Sequence, residues 1–290
     1  MAKQNSIISK RPLIIFFALS YSISWILWIP LLIGHFNYGW TSWEGNAWTN
    51  LRTILGLLGS LGPAFAAILV TYFLEDKEGL KRLLKRLVIW KVKYTWWLIA
   101  FYGWWLLASF ISVLLFPIPT SKIIAQFGFS LINIPVIIFI LQMPLLIGML
   151  GEELGWRGFA LPKLLDKYNP VVSSLILALP WIFWHAPLVV FQDWIGNVPI
   201  LHFLLRYILL ILPLTLIFTW FFQNTKGSIL LIIVLHKAFN LTFNAFPGVI
   251  GLQEETGKLL FDIMIGIFWL FAIVLVFYFI KVKPRREAQR

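Results

Sequence analysis

Apolar stretches of about 20 residues recur eight times along the chain, near 12–34, 51–74, 95–116, 131–151, 171–191, 200–222, 228–247 and 259–280. Each is long enough to cross about 30 Å of hydrocarbon as an α-helix. The first follows Lys3, Lys10 and Arg11; it exceeds a signal-peptide core and lacks a small-residue cleavage site, which predicts a retained span. Gln223 to Gly227 are the five residues between the sixth and seventh spans and predict a tight hairpin. Gly56, Gly59, Ser60, Ala64 and Ala67 give the second span a small-residue face for close packing. Pro135, Pro144, Pro180 and Pro213 fall inside spans and predict kinks.

Between the second and third spans, Leu80, Leu83, Leu84, Leu87 and Val88 follow helical i, i+3, i+4 spacing, with Lys81, Arg82, Lys85 and Arg86 opposite them. That pattern predicts an amphipathic helix, about 79–90, lying on an anionic cytoplasmic leaflet.

Composition narrows the class. The chain is 60% hydrophobic and 12% charged, against roughly 25% charged in soluble domains. This excludes a disordered chain, a disulfide scaffold and a cytosolic enzyme. Cysteine is absent, so there is no disulfide, thiolate nucleophile or Cys-ligated metal. The expectation is an all-α, polytopic transmembrane bundle forming a single integral membrane domain over 1–290.

The net charge of +12 then reads as orientation. Nineteen of the 24 basic residues fall in the tails and alternate loops of one side, three lie on the other, and Arg206 and Lys237 sit within spans. This positive-inside split puts both termini in the cytoplasm, as eight spans require, and no nucleic-acid partner is needed to explain it.

Charge inside hydrocarbon needs a reason. Glu152 and Glu153 close the fourth span in Gly151-Glu152-Glu153-Leu154-Gly155-Trp156-Arg157-Gly158, while the other ten carboxylates lie in loops, tails or outer helix ends. Adjacent carboxylates repel, and Arg157, one turn from Glu153, compensates. His185 lies well inside the fifth span and His236 inside the seventh, with Asn240 one turn further on the same face. Each element has a plainer reading, as a membrane-edge charge cluster or a helix–helix hydrogen bond. Combined, they can do chemistry. A carboxylate beside a neutral imidazole can deprotonate a water. A second imidazole and an amide can donate to an oxyanion. One obstacle stands: at ~1.5 Å per residue, His185 lies about 21 Å and His236 about 12 Å from the starts of their spans, whereas Glu152 lies at the rim.

The order Glu-Glu-x-x-x-Arg, then His in an aromatic-rich span, then His-x-x-x-Asn resembles the CPBP family of intramembrane CAAX prenyl proteases and bacteriocin-processing enzymes. The resemblance covers about 131–247. It departs at Trp181, where the family has Phe four residues before its His; an aromatic keeps the packing role there. The resemblance implies that Glu152 is the general base, with His185 helping to activate water. It implies that His236 and Asn240 stabilise the oxyanion, with Glu153, Arg157 and Trp181 in support. Two mechanisms stay open: a metal-free, glutamate-dependent one, and one using a divalent metal such as zinc on Glu152, His185 and His236. The implied partner is a peptide or membrane-protein substrate, prenylated where the host prenylates proteins, and the implied location a bacterial or archaeal plasma membrane. The alternatives are a proton- or cation-coupled transporter using the same cluster, and a catalytically silent immunity or scaffold protein.

Overall fold

A computed structural model describes residues 10–38, 47–116, 146–189, 200–249 and 253–282. Every regular element among them is helical: α1 Pro12–Tyr38, α2 Ala47–Ser60, α3 Gly62–Lys85, α4 Tyr94–Leu115, α5 Leu146–Glu153, a π-helix Leu154–Ala160 continuing into α6 Leu161–Leu165, α7 Pro170–Trp184, α8 Ala186–Val189, α9 Ile200–Asn224, α10 Ile229–Val249 and α11 Glu254–Val282. Five stretches, 12–33, 53–88, 94–115, 204–224 and 255–281, are long and apolar enough to cross a membrane, and 170–184 and 229–244 are shorter apolar helices. The protein is a helical integral membrane bundle. Residues 131–145 of the expected fourth span, with Pro135 and Pro144, lie outside the described residues.

The outward surface is apolar, with Ile26, Phe110, Leu270 and Phe277 exposed. Buried hydroxyls turn instead to the carbonyl one turn back: Ser20 to Phe16 (2.7 Å), Thr215 to Ile211 (2.7 Å) and Thr242 to Ala238 (2.8 Å). A helix in lipid has no water to satisfy such groups, so its own backbone accepts them.

The expected span at 51–74 is two helices. The chain breaks at Leu61, and Pro63, which lacks an N–H and presets φ, opens the new helix α3. Small residues hold this break against its neighbours. Ser24 Oγ donates to the Gly59 carbonyl at 2.6 Å, and a Cβ at Gly151 would collide with the backbone of Ser60 and Leu61. Beyond the expected limit, α3 continues to Lys85 through a break at Asp76 (φ 57°), followed by a 3-10 turn at Arg86–Val88. The apolar stripe of this extension is divided. Leu83 is buried and Leu80 and Leu87 pack against the core, whereas Leu84 and Val88 are exposed.

The hairpin at 223–227 forms as the sequence predicts. Lys226 and Gly227 take positive φ, the Gly227 N–H donates to the Phe222 carbonyl (2.9 Å), and Ser228 Oγ reaches the Ile89 carbonyl at 2.6 Å. Around the centre, α1 packs on α3, α4 on α10, α7 on α9, α9 on α11, and the π-helix on α3.

Candidate active site

The segment 152–170, expected as a cytoplasmic loop, is helical as far as Leu165. A short turn then leads into α7, whose first turn is capped by the Asn169 side chain accepting from the Val172 N–H (2.9 Å). The two arms form an antiparallel pair about one turn. Glu152 lies 13 residues before Leu165 and His185 lies 15 after Pro170, so both sit at about the same height above it. This removes the expected depth mismatch, which came from ending the fourth span at 151.

The π-helix closes with wider turns than an α-helix, a feature frequent at functional sites. Small residues permit its close approach to α3: a Cβ at Gly155 would overlap Pro63. All seven of its residues are buried, including Arg157. Arg157 therefore does not belong with the exposed basic residues that report orientation; it is part of the site.

His185 is not inside a continuous helix. It caps α7, because Pro187 has no N–H to offer the Phe183 carbonyl and its ring would crowd that turn. The last turn tightens, and the His185 N–H goes to Ile182 (3.3 Å) rather than to Trp181. The Trp181 carbonyl is left for His185 Nδ1, at 2.9 Å. A carbonyl only accepts, so Nδ1 carries the proton and Nε2 presents its lone pair. Nε2 lies 3.9 Å from Glu152 Oε2, too long for a direct hydrogen bond and a spacing that one water can bridge. Tyr21 donates to the Pro180 carbonyl (2.8 Å) and Trp25 to the Trp184 carbonyl (3.0 Å), so α1 satisfies the end of α7.

Glu152 Oε2 also accepts from Trp181 Nε1 at 2.7 Å. Glu153, fully buried, accepts at Oε1 from Arg157 Nη1 (2.9 Å) and meets His236 Nδ1 at 2.7 Å. Arg157 supplies the opposite charge that an isolated buried carboxylate would require. Its own Nε and Nη2 have no hydrogen-bond partner. Aromatic faces take their place, with the guanidinium 3.9 Å from the Trp181 ring centroid and 4.7 Å from that of Phe218. Trp181 and Phe218 also meet the His236 ring, at 5.8 and 5.7 Å.

The structure therefore brings together Glu152, Glu153, Arg157, Trp181, His185 and His236. Asn240 stands one turn beyond His236 on α10 and is half-buried. Two neighbours were not legible in the sequence. Phe218 is one aromatic among many, and Tyr207 of α9, whose buried ring lies 5.6 Å from His185, sits in a Leu- and Ile-rich helix without a motif. A lone tyrosine on such a helix was the available signal.

A zinc ion on Glu152, His185 and His236 would need three donor atoms about 2.0–2.2 Å from one point. Among the described residues, no group of three or more His, Asp or Glu side chains is placed to hold a metal ion. Glu152 Oε2 and His236 Nδ1 are already engaged with Trp181 and Glu153. In this arrangement the three residues do not fit a metal.

Comparison with known proteins adds two findings. Residues 133–242 match the family described as type II CAAX prenyl endopeptidase, Rce1-like. The chain is also similar to CAAX prenyl protease 2 of Methanococcus maripaludis, 26% identical over 274 residues, covering 91% of this chain and 93% of the relative.

Proposed function

We propose that this chain, which is similar to the CAAX-type family of intramembrane proteases, is a glutamate-dependent endopeptidase in which Glu152 deprotonates the attacking water. The observation that carries the reading is the buried Glu152 carboxylate, held at Oε2 by Trp181 (2.7 Å) and facing His185 Nε2 across 3.9 Å.

A water between Glu152 and His185 gives one proton to the carboxylate while its oxygen attacks the scissile carbonyl carbon. The carbonyl π pair moves to oxygen. The oxyanion accepts from the Asn240 amide and from His236 Nε2–H. For Nε2 to donate while Nδ1 donates to Glu153 at 2.7 Å, the His236 ring carries both protons, and the two carboxylates Glu152 and Glu153 together balance that charge and the charge of Arg157. On collapse the C–N bond breaks, and the departing nitrogen takes the proton held by Glu152. The second water proton stays on the attacking oxygen, so the products are a carboxylic acid and an amine, which exchange that proton to become a carboxylate and an ammonium. No metal step is required, and the geometry of the donors supports a metal-free course.

The name of the archaeal relative suggests a prenylated carboxy-terminal peptide as substrate, cleaved near the cytoplasmic membrane face. A hydrolase, rather than a transporter, agrees with both similarities.

The test uses purified protein in detergent with a quenched fluorogenic peptide, prenylated and unprenylated. Glu152→Ala and His236→Ala should each lower kcat by about 10²–10⁴-fold, and stringent metal removal should leave the wild-type rate unchanged. Wild-type turnover retained by both variants would reject the assignment. Loss of activity on metal removal, restored by zinc, would reject the metal-free course.

A further inference from the structure

We propose that Trp181 is a positioning residue for the general base: its indole N–H anchors Glu152 Oε2 and so sets the direction in which the carboxylate meets the water it shares with His185. This deepens the reading of Glu152 as base and rests on it.

Trp181 touches four of the five charged or imidazole groups of the cluster. Nε1 donates to Glu152 at 2.7 Å, the backbone carbonyl meets His185 Nδ1 at 2.9 Å, one ring face carries the Arg157 guanidinium at 3.9 Å, and the ring meets His236 edge-on at 5.8 Å. Phenylalanine at this position would keep the face for Arg157 and the contact with His236. It would lose the donor. In this chain the aromatic therefore does more than pack, because a carboxylate otherwise turns freely about its last bond. A charge-assisted hydrogen bond in a water-poor site restrains it. With one lone pair of Oε2 taken by the indole N–H, the carboxylate is held with Oε2 3.9 Å from His185 Nε2, the spacing that the water bridges.

The experiment compares wild type, Trp181→Phe and, as a control, Trp28→Phe. Trp28 is also fully buried, and its N–H meets the Gly56 carbonyl at 3.2 Å rather than a group of the cluster. Both truncations remove similar volume and should lower thermal stability comparably. Only Trp181→Phe should lower kcat, by about 10- to 100-fold, the worth of a hydrogen bond to a charged group, with KM within about twofold of wild type. In ¹⁵N-indole spectra, Glu152→Ala should move one N–H resonance strongly, the one missing from Trp181→Phe. Wild-type kcat in Trp181→Phe, or equal kcat losses in the two truncations, would overturn the proposal. Should Trp181→Phe fail to fold, the wild-type and Glu152→Ala spectra still decide, and no displaced indole resonance overturns it. Full turnover in Glu152→Ala would instead refute the function on which it rests, whatever the indole signal does.

Discussion

At the residue scale, the centre of the site is a charge ledger closed within a few side chains. Glu153 and Arg157 are both fully buried and bonded at 2.9 Å, and removing one partner leaves the other charge uncompensated. Arg157→Ala should therefore destabilise the protein by about 3–5 kcal/mol, read as a lower midpoint of thermal unfolding in detergent. Arg157→Lys should recover only part of that loss, because an ammonium cannot lie flat between the Trp181 and Phe218 rings. Glu153→Gln keeps the shape and removes the charge facing His236; it should lower kcat by about 10-fold or more while substrate affinity stays near wild type. The Glu153–Arg157 pair was legible in the sequence because i, i+4 is a local relation. The Glu153–His236 contact was not, since 83 positions separate the two and no local rule joins them. The hydrogen bond from Trp181 was missed for another reason: an indole in an aromatic-rich span reads as packing, and its N–H finds a partner only once the helices are assembled.

At the element scale, hydrophobic periodicity located the helices but placed their ends badly. An apolar run stops at the first carboxylates, whereas the backbone continues through Glu152, the π-helix and α6 to Leu165, because the charges of the run are neutralised inside the bundle. The opposite error occurs in α7. The apolar run continues past His185, yet Pro187 ends the helix at Trp184 and turns the imidazole onto the Trp181 carbonyl. Close packing of the π-helix on α3 gives a direct prediction. Gly155→Ala inserts a methyl group against Pro63 and should cost about 1–3 kcal/mol, seen as a lower unfolding midpoint. Gly56→Ala, where an added Cβ meets nothing within 4 Å, should leave that midpoint nearly unchanged.

At the scale of the whole molecule, composition alone identified a helical membrane bundle, and the described helices agree. Arg206, a cation expected within a span, pairs with Asp262 at 2.6 Å between α9 and α11, which explains how that position is tolerated. Orientation is the next testable property, and the absence of native cysteine makes it accessible. Single cysteines at Lys226 and Arg285 should react with a membrane-impermeant maleimide only after permeabilisation. A cysteine at Lys258 should react in intact cells. The reverse pattern would invert the positive-inside reading and move the proposed cleavage to the other face.

The central claim, that a buried glutamate rather than a metal activates water, is tested most directly by one rate comparison. The turnover of metal-stripped wild type and metal-stripped Glu152→Gln is measured on the same prenylated peptide at saturating concentration. Wild type should retain its full rate without metal, and Glu152→Gln should fall by at least about 100-fold. A Glu152→Gln enzyme that turns over like wild type would contradict the claim, as would a stripped wild type that is inactive until metal returns.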